Sequence, residues 1–320
     1  MLFMKKVLVS LINYSQTCPE AKKMLEDHGF EVLERCIGTD LLPKEYDQVI
    51  PCIDAAIASD EIWNEDMYRM AKKLKIIAKV GTGVDNIDLV KAREYGIQVT
   101  NTRGANANAV AELTLAFMIN MLRNIPQLDY STKRGGWQQG HGVELKGRTV
   151  GMLGFGAVPQ ALSCLLKGFD VRIKAYDKYP DSDKAKELNV EVADFDEVIS
   201  TCDIISVHIP SSKDTYHLIG EEVFSKMKDG VYFINVGRGN VIDDKALYNV
   251  LVSGKVKAAA LDVYEREPES PDCPLFKLDN IICTPHIGGS THQSLFNNSM
   301  VTANAIIDYF EGRVPKNKVN

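Results

Sequence analysis

Apolar runs of strand length alternate with helical patterns along the whole chain. Residues 7–12 read as a strand, and 19–28 as a helix that opens on Pro19 and stops at Gly29. Residues 55–58 form a predicted strand, 64–74 a helix, 76–80 a strand, 89–95 a helix closed by Gly96, and 97–100 a strand. A long apolar helix is expected over 107–122. The pattern then restarts. Strands are expected over 148–154, 171–176, 204–209, 231–236, 256–263 and 281–284. Helices are expected over 158–167, 195–201, 221–227 and 246–253, and a long terminal one over 291–311. Strands alternating with helices predict an α/β fold of parallel sheets covered on both faces. The second set has six predicted strands, which is the count of a complete dinucleotide-binding fold. No linker rich in Pro, Gly or Ser separates the sets, so a helical crossing between two domains is expected.

The length of 320 residues agrees with two domains of about 150 residues each. A chain that is 45% hydrophobic and 25% charged is not disordered, and no self-similar period marks a repeat array. With 37 Lys+Arg against 43 Asp+Glu and no long basic run, neither nucleic acid nor an anionic membrane is expected as a partner. The apolar run after Lys5 and Lys6 has only six residues, which suits a first strand better than a signal peptide. No stretch approaches the roughly 18 apolar residues of a membrane span. The seven cysteines (Cys18, Cys36, Cys52, Cys164, Cys202, Cys273 and Cys283) show no CxxC spacing. That predicts a cytoplasmic protein with no disulfide framework and no metal, its thiols buried or half-buried.

Chemistry enters at a glycine-rich turn. Gly154-Phe155-Gly156-Ala157-Val158-Pro159 lies between a predicted strand and helix, and Asp177 stands at the end of the next strand. This is the layout of a dinucleotide fingerprint. Gly154 permits the turn and Gly156 lets a pyrophosphate approach the backbone. The amides of Ala157 and Val158 open the helix toward the anion. Asp177 can accept from ribose hydroxyls and repel a 2′-phosphate, which favours NAD over NADP. Pro159 stands where a third glycine is usual. In the first helical turn its missing N–H removes no helical bond, although the close contact that glycine allows is lost.

Three polar residues follow predicted strands of the second set: Arg238, Glu267 and His286. In a parallel sheet the C-terminal ends of the strands share one edge, where ligands bind. Hydride transfer to a 2-keto acid needs a cation for the carboxylate and carbonyl, an acid/base, and a carboxylate to orient an imidazole. Arg238, His286 and Glu267 suit those roles in that order. Blander readings stand beside them: a strand cap for Arg238, a satisfied loop histidine for His286, and a solvated turn residue for Glu267, with Glu265 competing for its place.

These residues belong to a longer likeness. The chain resembles the D-isomer-specific 2-hydroxyacid dehydrogenases, and within them the D-3-phosphoglycerate dehydrogenase branch. The runs that carry it are KIIAKVGTGVDNID over 75–88, NTRGANANAVAE over 101–112, GRTVG over 147–151, the Gly154 turn, HIP over 208–210, NVGRGNVID over 235–243, ALDVYEREP over 260–268 and TPHIGGST over 284–291. The resemblance implies two doubly wound domains, a Rossmann NAD domain over 101–289 inserted into a flavodoxin-like substrate domain formed by 1–100 and 290–320. It implies the same catalytic trio, with Asp262 near the nicotinamide and Val236 and Gly237 beside the cofactor. His208, Pro210 and Thr215 would border the adenosine. Backbone amides around Val80, Gly81 and Thr82 would grip the substrate carboxylate, with Lys79 in the same loop. Members are usually homodimers joined through their cofactor domains.

Substrate choice stays open at this point. Phosphoglycerate is the first substrate the resemblance names; hydroxypyruvate, glyoxylate or a branched 2-keto acid are alternatives. Phosphoglycerate-type members tend to carry an arginine where this chain has Ala58, and Asp60 would repel a phosphate. Lys79 or Arg103 is the expected replacement if the substrate is phosphorylated. With the chain ending at residue 320, serine-type feedback control is not expected. Readings from other classes are a dinucleotide-sensing binding protein and a cofactor-binding scaffold without turnover.

Overall fold

The computed structural model describes residues 4–34 and 48–320. The chain divides into two compact units, Met1–Asn106 with Gly289–Asn320, and Ala107–Gly288. In the first unit, β1 (Lys5–Val9), β2 (Phe30–Glu34), β3 (Ala55–Ala58), β4 (Ile76–Lys79) and β5 (Gln98–Thr100) pair in parallel in the order β2-β1-β3-β4-β5. That is the flavodoxin-like order. Successive residues of one strand go to opposite faces. Ala55 and Ile57 pack with Val7, Leu25 and Ile306, whereas Ala56 and Ala58 pack with Leu8, Trp63 and Ile77. Both faces are thus covered at the centre of the sheet, where β3 reads as a continuous apolar run.

β1 stops at Val9, three residues before the expected end. The Ser10 hydroxyl donates to the Glu61 carboxylate at 2.6 Å, and Ile12 is 69% exposed. The 64–74 helix covers only Glu65–Met70, opened by Asn64, whose side chain accepts the Met67 N–H. β2 was not expected, because Phe-Glu-Val-Leu-Glu at a sheet edge is half polar. Thr291 caps the terminal helix His292–Phe310, which belongs to this unit.

In the second unit, β6 (Thr149–Leu153), β7 (Arg172–Tyr176), β8 (Glu191–Val192), β9 (Ile204–Val207), β10 (Val231–Asn235), β11 (Val256–Leu261) and β12 (Ile281–Cys283) form one parallel sheet. Its order is β12-β11-β10-β9-β6-β7-β8. Seven strands replace the expected six, because β8 is a two-residue exposed edge with no apolar run. The order reverses between β6 and β9, which makes a switch point beside the glycine-rich turn. Val231 and Phe233 face one core cluster and Tyr232 and Ile234 the other, so this sheet too is covered on both sides. The helices Ile125–Thr132 and Ser182–Glu187 had no clear apolar periodicity and were not expected.

Among the described cysteines, Cys18, Cys202 and Cys273 are buried and Cys283 is half-buried, but Cys52 and Cys164 are exposed, contrary to expectation. Cys36 lies outside the described residues. No described helix is long and apolar enough to cross a membrane.

Candidate active site

The turn after β6 is built by its glycines and by Asp177. Gly154 has φ +100°, and a Cβ there would stand 3.0 Å from the His208 carbonyl oxygen, so only glycine fits without strain. Its N–H donates to Tyr176 O at 2.7 Å. Asp177, one residue past β7, accepts the Phe155 N–H at 2.7 Å and the Tyr179 N–H at 2.8 Å. Each carboxylate oxygen keeps a further lone pair. The helix Ala157–Leu166 follows, with Gly156 at its cap and no side chain capping it. The first helical bond runs from Gln160 N–H to Gly156 O, so buried Pro159 in the first turn interrupts no ladder bond. Ala157 and Val158 thus sit where a helix offers amide N–H groups to an anion, and the side of Gly156 where a Cβ would stand is open space. These residues fit the pyrophosphate of a dinucleotide.

The loop after β9 lies against this turn. His208 bonds Ser206 Oγ through Nε2 at 2.9 Å, and burial pushes its pKa down to about 3, so the ring is neutral. Thr215 Oγ donates to the Pro210 carbonyl at 2.8 Å and shapes this loop.

Three further loops carry the charged residues. At the end of β10, buried Asn235 accepts the Gly237 N–H at 3.0 Å and donates to Arg238 O at 2.9 Å. This clamp, which the sequence analysis assigned to no residue, turns the chain at Val236 and presents Arg238. The Arg238 guanidinium donates to Gly237 O at 2.7 Å. At the end of β11, Asp262 is buried and accepts from Thr284 Oγ at 2.6 Å and from the N–H groups of Ile287 and Gly288 at 2.8 and 2.7 Å. Its carboxylate thus braces the loop that bears His286, which stands at φ +52°.

His286 Nδ1 meets Glu267 Oε2 at 2.6 Å, and Glu267 Oε1 accepts the Tyr264 N–H at 2.9 Å. The His286 pKa is raised, chiefly by the Glu267 hydrogen bond, against burial and the Arg238 charge. Burial pushes the Glu267 carboxyl up, but the bonds from His286 and the Tyr264 N–H outweigh it and hold it below the usual range; Arg238 adds to this. Arg238, Glu267 and His286 are therefore within electrostatic reach of one another. The side chains of His286 and Glu267 remain 50% and 37% exposed, open to a substrate. Glu265 does not share this role: it faces Tyr216 and His217.

In the first unit, Lys79 is buried at the end of β4 and donates through Nζ to Val80 O at 2.6 Å. The Val80 N–H donates to Ala58 O at 2.8 Å, and the Gly81 N–H to Thr102 Oγ at 2.7 Å. Two of the three amides expected to grip a carboxylate are thus engaged within the fold. The Thr82 carbonyl accepts from Asn101 Nδ2 at 2.7 Å. Ala58 is fully buried in the core.

Residues 115–288 match the family described as D-isomer specific 2-hydroxyacid dehydrogenase, NAD binding domain. A hydroxypyruvate reductase of Thermotoga maritima is 43% identical over 277 residues, 85% of this chain and 88% of that one. A D-3-phosphoglycerate dehydrogenase of Archaeoglobus fulgidus is 40% identical over 94% of this chain; the chain spans 57% of that longer protein. A solved D-lactate dehydrogenase of Treponema pallidum superposes with a TM-score of 0.85 at 28% identity, covering 99% of this chain and 100% of that one. The strand order, the glycine-rich turn and these likenesses agree, and the chain belongs to the D-isomer-specific 2-hydroxyacid dehydrogenase family.

Proposed function

We propose that this protein exchanges a hydride between NAD(H) and a D-2-hydroxy acid/2-keto acid pair. The observation that carries the reading is the 2.6 Å contact of His286 with Glu267, in which the imidazole pKa rises and the carboxyl pKa falls. Gly154, Gly156, Ala157 and Val158 would hold the pyrophosphate and Asp177 the ribose; NADH bound there supplies the hydride. Arg238 binds the substrate carboxylate and polarises the keto oxygen. His286 Nε2 delivers the proton to that oxygen, while Glu267 fixes the ring through Nδ1 and favours the charged imidazole. A sensor without turnover would have no use for this pair.

The sign of the pH dependence follows. Keto-acid reduction needs protonated His286, so its rate falls as pH rises through the raised imidazole pKa. Hydroxy-acid oxidation needs the neutral ring and rises with pH. Glu267→Gln removes the charge that raises the pKa, so the falling limb of reduction moves to lower pH and the loss is larger at pH 8 than at pH 6. Profiles of kcat/KM against pH for both proteins check this; an unmoved limb would assign it to another group.

Asp177 governs cofactor choice in this reading. Asp177→Ala is expected to cut the preference for NADH over NADPH by about tenfold or more, since a carboxylate close to a 2′-phosphate is strongly repulsive. NADH affinity falls as well, because the Phe155 N–H loses its acceptor. An unchanged preference would show that another residue selects the cofactor.

The first unit favours an unphosphorylated acid, such as hydroxypyruvate or glyoxylate. Ala58 is in the core, Lys79 turns onto its own loop, and the buried Glu61 carboxylate joins Ser10 to the Ser59 N–H. A dianionic phosphate gains little there. We expect a panel of 3-phosphohydroxypyruvate, hydroxypyruvate, glyoxylate and 2-ketoisocaproate, followed by NADH absorbance, to place an unphosphorylated acid first by about tenfold in kcat/KM. A phosphorylated winner would require Lys79 or Arg103 to turn toward it. No oxidation of NADH by any of the four would overturn the enzyme reading.

A further inference from the structure

Two glutamates of one turn face different ways. Glu267 meets His286. Glu265 takes the Tyr216 hydroxyl on Oε1 at 2.9 Å and faces His217 Nε2 with Oε2 at 3.2 Å. Tyr216 and His217 stack with ring centroids 4.0 Å apart and planes within 14°. His217 stands at φ +49°, a left-handed conformation that is unfavourable for a side-chain-bearing residue and persists only where its surroundings hold it. The His217 N–H donates to Asn240 O at 2.8 Å, and Asn240 Nδ2 donates to Ser211 Oγ at 2.8 Å. The loop after β9 is thus tied to the loop of Arg238 and, through Glu265, to the loop of Glu267.

We propose that Glu265 is a positioning residue, which anchors the Glu267 turn on the Tyr216–His217 stack and so sets Glu267 against His286. The Glu267 turn is held from other sides as well: Gly239 lies against the Tyr264 and Glu265 backbone, and the Tyr264 ring meets Phe276 edge-on. Tyr264 OH reaches Thr284 O at 3.1 Å on the β12 side, and its N–H holds Glu267 from within the same turn. On the β9 side, Tyr216 and His217 meet Glu265 two residues before the working carboxylate. Asp243, Asp244 and Glu269 also act on this neighbourhood; burial and then the Glu265 and Glu269 charges raise Asp244 to about 6. Within the turn Arg266 lies between the two glutamates, and the Tyr216 hydroxyl and the His217 ring hold the Glu265 carboxylate in place among these charges.

The inference rests on the acid/base reading only for its effect on turnover, so the test has two readouts. The first is the titration of His286 by NMR in cofactor-free protein carrying labelled histidine, assigned by loss of its signal in His286→Asn. In Glu265→Ala the His286 titration is expected to shift downward, because the carboxylate that raises it no longer sits at 2.6 Å. Tyr216→Phe, which removes one hydroxyl from an exposed ring, should shift it in the same direction by less, and Glu265→Gln should restore most of it. The second readout is kcat for NADH oxidation with the best acid of the panel. It should fall about tenfold in Glu265→Ala, since small displacements of an acid/base pair are costly. Glu269→Gln serves as control and should leave both readouts unchanged. An unmoved His286 titration in Glu265→Ala overturns the proposal, whatever happens to thermal stability. A shifted titration with unchanged kcat supports the positioning role and overturns instead the assignment of His286 as the proton donor.

Discussion

His286→Ala should lower kcat for keto-acid reduction by about a hundredfold to ten-thousandfold, the range in which a positioned general acid contributes. NADH affinity should change by less than about twofold, because the residues that fit the pyrophosphate follow β6 and His286 follows β12. The fold should survive, since the side chain is half exposed and Glu267 keeps the Tyr264 N–H. Residue 286 has φ +52°, which asparagine tolerates better than alanine, so His286→Asn separates loss of the imidazole from backbone strain. Steady-state kinetics with an NADH fluorescence titration give both numbers. Near-full turnover in His286→Asn would take the proton from His286 and leave the pair with Glu267 as a structural contact.

The sequence made the sheets legible wherever both faces are buried. β3, β4, β10 and β11 are apolar apart from Lys79, Asn235 and Lys257, because two core clusters flank them. Two edge strands lack that signal: β2 carries Glu31 and Glu34 among its five residues, and β8 is Glu191–Val192 alone. The trio was legible for a different reason. Parallel strands bring their C-terminal ends to one edge, so three polar residues after three apolar runs had to share it. The partner of His286 was read as Glu267, with Glu265 as its competitor. Glu265 and Glu267 have the same chemistry two residues apart, and only the turn geometry sends one to Tyr216 and the other to His286. At Val80 and Gly81 the motif was legible and the partners were not: their N–H groups donate to Ala58 O and Thr102 Oγ. Asn235 was visible as a polar residue ending an apolar strand before Gly237, a pattern that marks a side chain folding the next turn.

Gly239→Ala is expected to be nearly as damaging as loss of His286, although Gly239 touches no reacting group. A Cβ there would overlap the Tyr264 carbonyl carbon and oxygen and the Glu265 nitrogen, all of them backbone atoms that no rotamer can move aside. The loop that presents Arg238 and the loop that presents Glu267 therefore lie backbone against backbone, and glycine is the only residue that leaves room. Alanine must drive one loop away from the other, which separates Arg238 from the His286–Glu267 pair. A displacement of about an ångström at such a site costs on the order of a hundredfold in kcat/KM. Overpacking of this kind costs about 3 kcal/mol, or roughly 10 °C in Tm for a unit of this size. Gly168→Ala is the matched control, because a Cβ there meets nothing within 4 Å; it should leave turnover intact. Calorimetry and turnover of the two variants decide the matter. If Gly239→Ala keeps wild-type turnover, the two loops do not hold this approach in solution, and the placement of Arg238 beside Glu267 must come from elsewhere.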